Sequence, residues 1–245
     1  MENIGKKKFS CKFDLLLFSM TLPLYNPALP DSGTMLLVDK PIGWTSFDVV
    51  NKIRYATGFP KVGHAGTLDP LATGLLIVCC GKMTKKINDF MGLEKEYTGS
   101  FVLGKTTPSL DRETAFSENF PIAHISNDMI SDTVKKFTGE IEQIPPDYSA
   151  IKTGGAPAYK KARKGIALNL APRKVFIHEF EVIEILMPEI KFRVVCSKGT
   201  YIRSLARDFG KALGSGAYLA ELRRTRIGKY RVEDAISMVD VEGRK

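Results

Sequence analysis

An α+β fold is what the sequence predicts, on three observations. Strand-like and helix-like stretches are interspersed along the chain without the regular βαβ alternation of a parallel sheet. The apolar fraction of 44% and charged fraction of 26% are those of an ordinary globular protein, which excludes collagen-like, coiled-coil and wholly disordered classes. The 245 residues allow one large domain or two small ones, with ample material for a core.

Residues 1 to about 34 differ from the rest of the chain. Lys6, Lys7 and Lys8 precede the apolar Leu15-Leu16-Leu17-Phe18, after which Pro23, Pro27 and Pro30 break any helix. The basic start and apolar middle superficially resemble a signal peptide, but Lys12 and Asp14 crowd the apolar stretch and no small-x-small cleavage site ends it. We therefore expect a variable, disordered N-terminal extension over 1–34 and one folded domain over 35–240. Met35-Leu36-Leu37-Val38 reads as a buried strand, ended by Pro41 and Gly43. Thr45 or Ser46 then caps a helix to about Tyr55, with Val49, Val50 and Ile53 on one face. Residues 63–73 form a glycine-punctuated loop and 75–80 an apolar strand. Further strands are predicted at 95–103, 174–187 and 190–197, and helices at 83–91, 126–138 and 201–213. Pro145-Pro146 and Gly154-Gly155 mark loops. No run of 18 apolar residues exists, so no transmembrane helix is predicted.

Thirty-six Lys+Arg against 27 Asp+Glu give a net charge of +9, which favours a polyanionic partner, either nucleic acid or an anionic membrane surface. From Lys152 to Lys174 there are seven cations and no acid, and from Lys191 to Arg231 eleven cations against Asp208 and Glu221. Concentrated charge of this kind suits phosphate neutralisation, so nucleic acid leads. Cys11, Cys79, Cys80 and Cys196 form no C-x-x-C pair and suggest neither a zinc site nor a disulfide framework, which fits a reducing compartment. With His64, His124 and His178 as the only histidines and no H-x-x-x-H spacing, no metal site is predicted.

The most informative segment is Gly63-His64-Ala65-Gly66-Thr67-Leu68-Asp69-Pro70-Leu71-Ala72-Thr73-Gly74. Its glycines let the backbone approach a ligand closely while a rigid turn presents a single carboxylate. By composition alone Asp69 is more readily a turn cap before Pro70, and His64 more readily a structural histidine. The spelling of the segment closely resembles the active-site motif of the TruB family, the tRNA pseudouridine-55 synthases. Asp39-Lys40-Pro41, Gly43 and Thr45-Ser46 resemble that family's N-terminal motif, and Lys95-Glu96-Tyr97 its second. Gln143-Ile144-Pro145-Pro146, Tyr148-Ser149-Ala150 and Lys152 resemble its Q-x-P-P-x-(Y/F)-S-A-x-K block. Cys196-Ser197-Lys198-Gly199-Thr200-Tyr201-Ile202-Arg203 resembles its C-terminal active-site strand and helix start, and Gly216-Ala217-Tyr218-Leu219 to Arg223-Arg224-Thr225-Arg226 its late block. In order, these span roughly Met35 to Val239.

The resemblance implies a mixed, largely antiparallel sheet flanked by helices and loops, and isomerisation of uridine 55 in the T-arm loop of tRNA to pseudouridine, after flipping of the target nucleotide. It implies Asp69 as the essential catalytic carboxylate, acting as a nucleophile on the uracil ring or on ribose C1′, or assisting loss of the base through a glycal. A carboxylate in a dry pocket needs a nearby cation to stay ionised, and Arg203 is the candidate through its bidentate fork. Tyr97 matches the tyrosine that stacks on the target base and is a candidate proton acceptor. His64 matches the histidine that fills the space the flipped nucleotide vacates. Tyr201 packs beside the pocket, Lys40 supports the loop, and Asp111 is a candidate RNA contact. The resemblance implies no metal or organic cofactor, tRNA as partner, a monomer and a cytoplasmic location.

Two departures stand out. Where the family reads like T-D-T-x-D-x-x-G, this chain has Thr107-Pro108-Ser109-Leu110-Asp111-Arg112-Glu113-Thr114, retaining only the later acid. Many relatives also carry an appended C-terminal RNA-binding domain, which this sequence does not show, so RNA affinity is expected from the basic stretches at 152–174 and 191–231. The competing expectation is a non-catalytic tRNA-binding or tRNA-folding module.

Overall fold

The computed structural model describes residues 22–24, 26–29, 32–153, 155–166 and 168–242. Most of the expected extension over 1–34, together with Gly154, lies outside them. The chain runs β1 (Gly33–Lys40), α1 (Ser46–Thr57), β2 (Val62–His64), β3 (Thr73–Gly81), α2 (Ile87–Gly92) and β4 (Lys95–Leu103). There follow β5 (Lys105–Thr106), β6 (Glu118–Asn119), α3 (Asn127–Lys136), β7 (Gly139–Gln143), β8 (Lys152–Thr153), β9 (Ala156–Pro157) and α4 (Ala158–Ala162). The last part is β10 (Arg173–Leu186), β11 (Glu189–Cys196), α5 (Ile202–Ala212), β12 (Ala217–Ile227), β13 (Tyr230–Arg231), β14 (Ile236–Ser237) and α6 (Met238–Glu242).

The main sheet has the order β14-β1-β3-β12-β4-β11-β10-β7, with β2 paired on β3 and β13 on β12. Pairing is parallel between β1 and β14 and between β3 and β12, and antiparallel at the other junctions. The α+β class with a largely antiparallel sheet is therefore observed. Among the described residues no helix is long and apolar enough to cross a membrane.

Strand β3 explains its own continuous apolar spelling. Leu76, Val78 and Cys80 point to one cluster with Val49 and Ile53 of α1, while Leu75, Ile77 and Cys79 point to another with Ala65 and Ile227. Both faces are covered, so alternation disappears. Helix α1 begins where the sequence places it. Thr45 accepts from the Asp48 N–H, and the Asp48 carboxylate returns to the Thr45 N–H at 2.8 Å, a full capping box. Helix α5 lays Ile202, Leu205, Ala206 and Phe209 on a third cluster with Phe101, Phe192 and Val194 of β4 and β11, where Phe101 and Phe192 stack at 4.1 Å between centroids.

Two expectations need correction. The helix predicted over 83–91 is a 3₁₀ turn, Lys82–Lys86, followed by a separate α2. Neither piece fully buries a residue or has a side-chain cap; Met83, Ile87 and Phe90 pack only partly buried against the cluster of Leu75, Ile77 and Cys79. The central strand β12 is absent from the strands expected above, because Glu221, Arg223, Arg224 and Arg226 interrupt any simple apolar pattern.

Candidate active site

The loop between β2 and β3 is held at several points before its carboxylate meets any partner. Lys40, fully buried at the end of β1, donates from Nζ to the carbonyls of Pro41 (2.9 Å), Trp44 (2.6 Å) and Pro70 (3.3 Å). The Gly43 N–H also donates to Pro70 O at 2.8 Å. Ser46 accepts the Leu68 N–H at 2.9 Å and donates back to the Leu68 carbonyl at 3.2 Å. The Ala72 N–H closes a turn on Asp69 O at 3.0 Å. From beneath, Arg224 donates to Gly66 O at 3.1 Å and to Leu75 O at 2.7 Å. Gly74 sits at φ +101°, where a Cβ would run into the Arg224 backbone carbonyl, so glycine is required.

That frame turns the Asp69 side chain away from capping its own turn and toward α5. Arg203, in the first turn of α5, places Nη2 3.1 Å from Asp69 Oδ1 and Nε 2.9 Å from Oδ2. The guanidinium is buried (4% exposed) while the carboxylate retains 38% exposure, so the acid is open on one side and its cation is enclosed. Two further bonds fix the cation: Nη1 donates to Ser109 O at 3.0 Å and Nη2 to Tyr148 O at 2.9 Å. Asp111 is a second anion, 3.6 Å from Arg203 Nε and only 7% exposed. Burial pushes the Asp69 carboxyl above its usual range; Arg203 pulls it back, and Asp111 and Glu113 push it up again.

Of the other predicted residues, Tyr97 lies on β4, buried, with its phenol raised by desolvation and opposed by the Arg224 cation beside it. Lys40 is lowered to about 8 by burial, with Asp69 pulling it upward. Asp69 also biases the Tyr97 and Tyr201 phenols. Tyr201 is the N-cap residue of α5; its N–H donates to Gln143 Oε1 at 2.8 Å. His64 ends β2 opposite Val78, lowered by burial and by Arg224, so its imidazole is neutral at pH 7. The structure thus gathers Asp69, Arg203 and Asp111 in direct contact, with Lys40, Tyr97 and Tyr201 in electrostatic reach of the acid. His64 sits at the far end of the loop, on β2. Among the described residues no cluster of His, Cys, Asp and Glu could hold a metal.

Asp111, the candidate RNA contact, is buried beside the ion pair. The divergent 107–114 segment is internally closed. Thr107 Oγ1 donates to Asp111 O at 2.6 Å, and Thr114, where the family has glycine, bonds Ser109 through its hydroxyl at 2.9 Å. Leu110, next to Asp111, takes up a positive φ of 65°. Sequence reasoning missed Arg224, Ser46 and Gln143 as site residues, although each lies inside a quoted motif.

The 54–202 segment matches the family model described as TruB family pseudouridylate synthase (N terminal domain), and 203–244 the tRNA pseudouridylate synthase B C-terminal domain. Similar proteins named tRNA pseudouridine synthase B come from Flavobacterium johnsoniae, 56% identical over 84% of this chain and 93% of the relative, and from Phocaeicola vulgatus, 52% identical over 84% and 90%. Among solved structures, a Cbf5-Nop10-Gar1 complex aligns with a TM-score of 0.66 at 32% identity, over 88% of this chain and 55% of that one. An H/ACA RNP bound to a substrate RNA containing 2′-deoxyuridine aligns at 0.63 and 32%, over 85% and 52%. The chain spans about half the length of these two solved chains.

Proposed function

We propose, for a chain that belongs to the TruB family of pseudouridylate synthases, that it isomerises uridine 55 in the T-arm loop of tRNA, with Asp69 as the catalytic residue. The observation that carries this reading is the Asp69–Arg203 pair: a partly exposed carboxylate whose cation is itself buried and fixed by two backbone carbonyls. A surface ion pair has no such support, and such preorganisation is what a group that must act on a bound substrate needs.

In the reaction the C1′–N1 bond breaks, the uracil ring turns, a C1′–C5 bond forms, the C5 hydrogen leaves as a proton and N1 takes one up, so the change is an isomerisation. A carboxylate serves by attacking C1′ or the ring, or by assisting departure of the base as a glycal forms. Tyr97 stacks under the base and takes up or relays a proton. Tyr201 lines the pocket, Lys40 holds the Asp69–Pro70 turn, and Asp111 acts through Arg203. His64, neutral and at the loop's start, fills the space left by the flipped nucleotide, since glycosidic-bond atoms are inaccessible inside a stacked loop. All of these groups belong to one chain, in keeping with a monomer, and the protein acts in the cytoplasm, where its substrate resides.

The test is release of tritium from C5 of labelled uridine in a tRNA transcript, comparing the wild type with Asp69→Asn. We expect release by the wild type, none by the variant, and RNA binding by both. Tight RNA binding without release by either protein would favour a non-catalytic RNA-binding module instead.

A further inference from the structure

Arg224 lies beneath the loop that carries Asp69 and does not reach the surface. It is 1% exposed, on β12 between the two strands that matter: it is paired with Gly74 of β3 and with Tyr97 of β4. Its Nε and Nη2 donate to Leu75 O and Gly66 O. A single guanidinium fork therefore ties together the two ends of the loop that carries Asp69. The same group lies beside the Tyr97 hydroxyl. Among the described residues it meets these carbonyls and no carboxylate; the titratable groups around it are Lys40, His64, Lys95, Tyr97 and Cys196. Burying a cation with no anion is costly, and tethering two carbonyls does not require one, because a neutral glutamine amide also carries two N–H donors. A charged fork at the crossing of the acid's loop and the tyrosine's strand calls for a role beyond cohesion.

We propose that Arg224 is a positioning residue for the isomerisation, setting the Asp69 loop and the Tyr97 hydroxyl in one rigid frame. The inference rests on the roles given above to Asp69 and Tyr97. Arg224→Gln keeps two donors without the charge, and Arg224→Lys keeps the charge without the two-carbonyl fork. For each full-length variant, the single-turnover rate of tritium release is measured per RNA-binding-competent molecule, together with the Kd for the tRNA transcript.

The expected result is a rate reduced by on the order of 10–100-fold in Arg224→Gln, the loss that a small misplacement of reacting groups produces. The RNA Kd stays within about 3-fold of wild type, since the residue touches no RNA, and Arg224→Lys falls between. If Arg224→Gln does not fold, Arg224→Lys decides alone, with a reduced rate at unchanged Kd as the supporting result. A merely structural role lowers the competent fraction but leaves the rate per competent molecule at the wild-type value, and that outcome overturns the inference. So does a loss confined to Kd. A wild type that releases no tritium overturns the functional reading and this inference together, whereas an active wild type matched by both variants overturns this inference alone.

Discussion

At the scale of residues, the site is a contest between desolvation and charge. Arg203 is shared by Asp69 and Asp111, at 2.9 Å and 3.6 Å from its Nε, so each acid weakens the other's hold on it. Burial and the Asp111 anion both raise the Asp69 carboxyl, and Arg203 only partly offsets them. If the ionised acid is the working form, activity is lost as pH falls through that raised value, and the acid limb of kcat/KM lies above the ordinary carboxylate range near 4. Asp111→Asn removes one of the upward influences and leaves Arg203 to Asp69 alone. The acid limb should therefore move to lower pH, with RNA affinity unchanged. A pH profile of tritium release from pH 4 to 9 checks this. A limb that stays put, together with weaker RNA binding, would return Asp111 to a direct RNA contact.

At the scale of elements, the loop depends on strands that touch it from below. Gly74, the second residue of β3, sits at φ +101°, and a methyl group there collides with the backbone of Arg224. Gly74→Ala should cost about 2–5 kcal/mol, combining backbone strain with overpacking, read as a lower urea midpoint at constant m. Gly92, at the end of α2, has nothing within 4 Å of where a Cβ would sit, and Gly92→Ala should change stability by less than about 1 kcal/mol. Equal losses at the two sites would remove the argument that the close approach of β3 and β12 is what demands glycine. The same elements show how far local sequence carries. The span 95–103 and the capped start of α1 are readable because local pattern and tertiary burial agree there. The Asp69–Arg203 pairing is readable only through motif resemblance, since 134 positions separate the two residues. Strand β12 and the role of Arg224 are not readable. An arginine in a basic run is spelled the same whether it lies in solvent or, like Arg224, under a loop.

At the scale of the whole molecule, that ambiguity reshapes the charge argument. The 191–231 stretch reads as a cationic face, yet most of its cations are engaged internally. Arg203 and Arg224 are buried, Arg193 bonds Glu96 and Glu179, Arg226 bonds Glu94, Arg223 bonds Asp39, and Arg207 bonds Asp208. Most of these contacts hold strands together, and they leave Lys198, Lys211, Lys229 and Arg231 as exposed cations of the stretch. The other stretch differs: Lys160 and Lys164 are exposed around α4, with Lys161 half-buried between them, and no carboxylate among the described residues bridges these three. Counterion release then gives the α4 region a defined share of the salt dependence of RNA binding, at roughly 0.7–0.9 of a slope unit per phosphate contact. Replacing Lys160, Lys161 and Lys164 together by alanine should lower the slope of log K against log salt by about 2 to 3 units while leaving the urea midpoint nearly unchanged. Arg226→Gln should do the reverse, since it strips Glu94 of a partner 2.6 Å away: stability falls and the slope holds. Titrations of tRNA binding between 50 and 300 mM salt separate the two. A slope that follows Arg226 and ignores the three lysines would mean that the internal ion pairs open to meet the RNA, and that the 191–231 stretch carries the contacts after all.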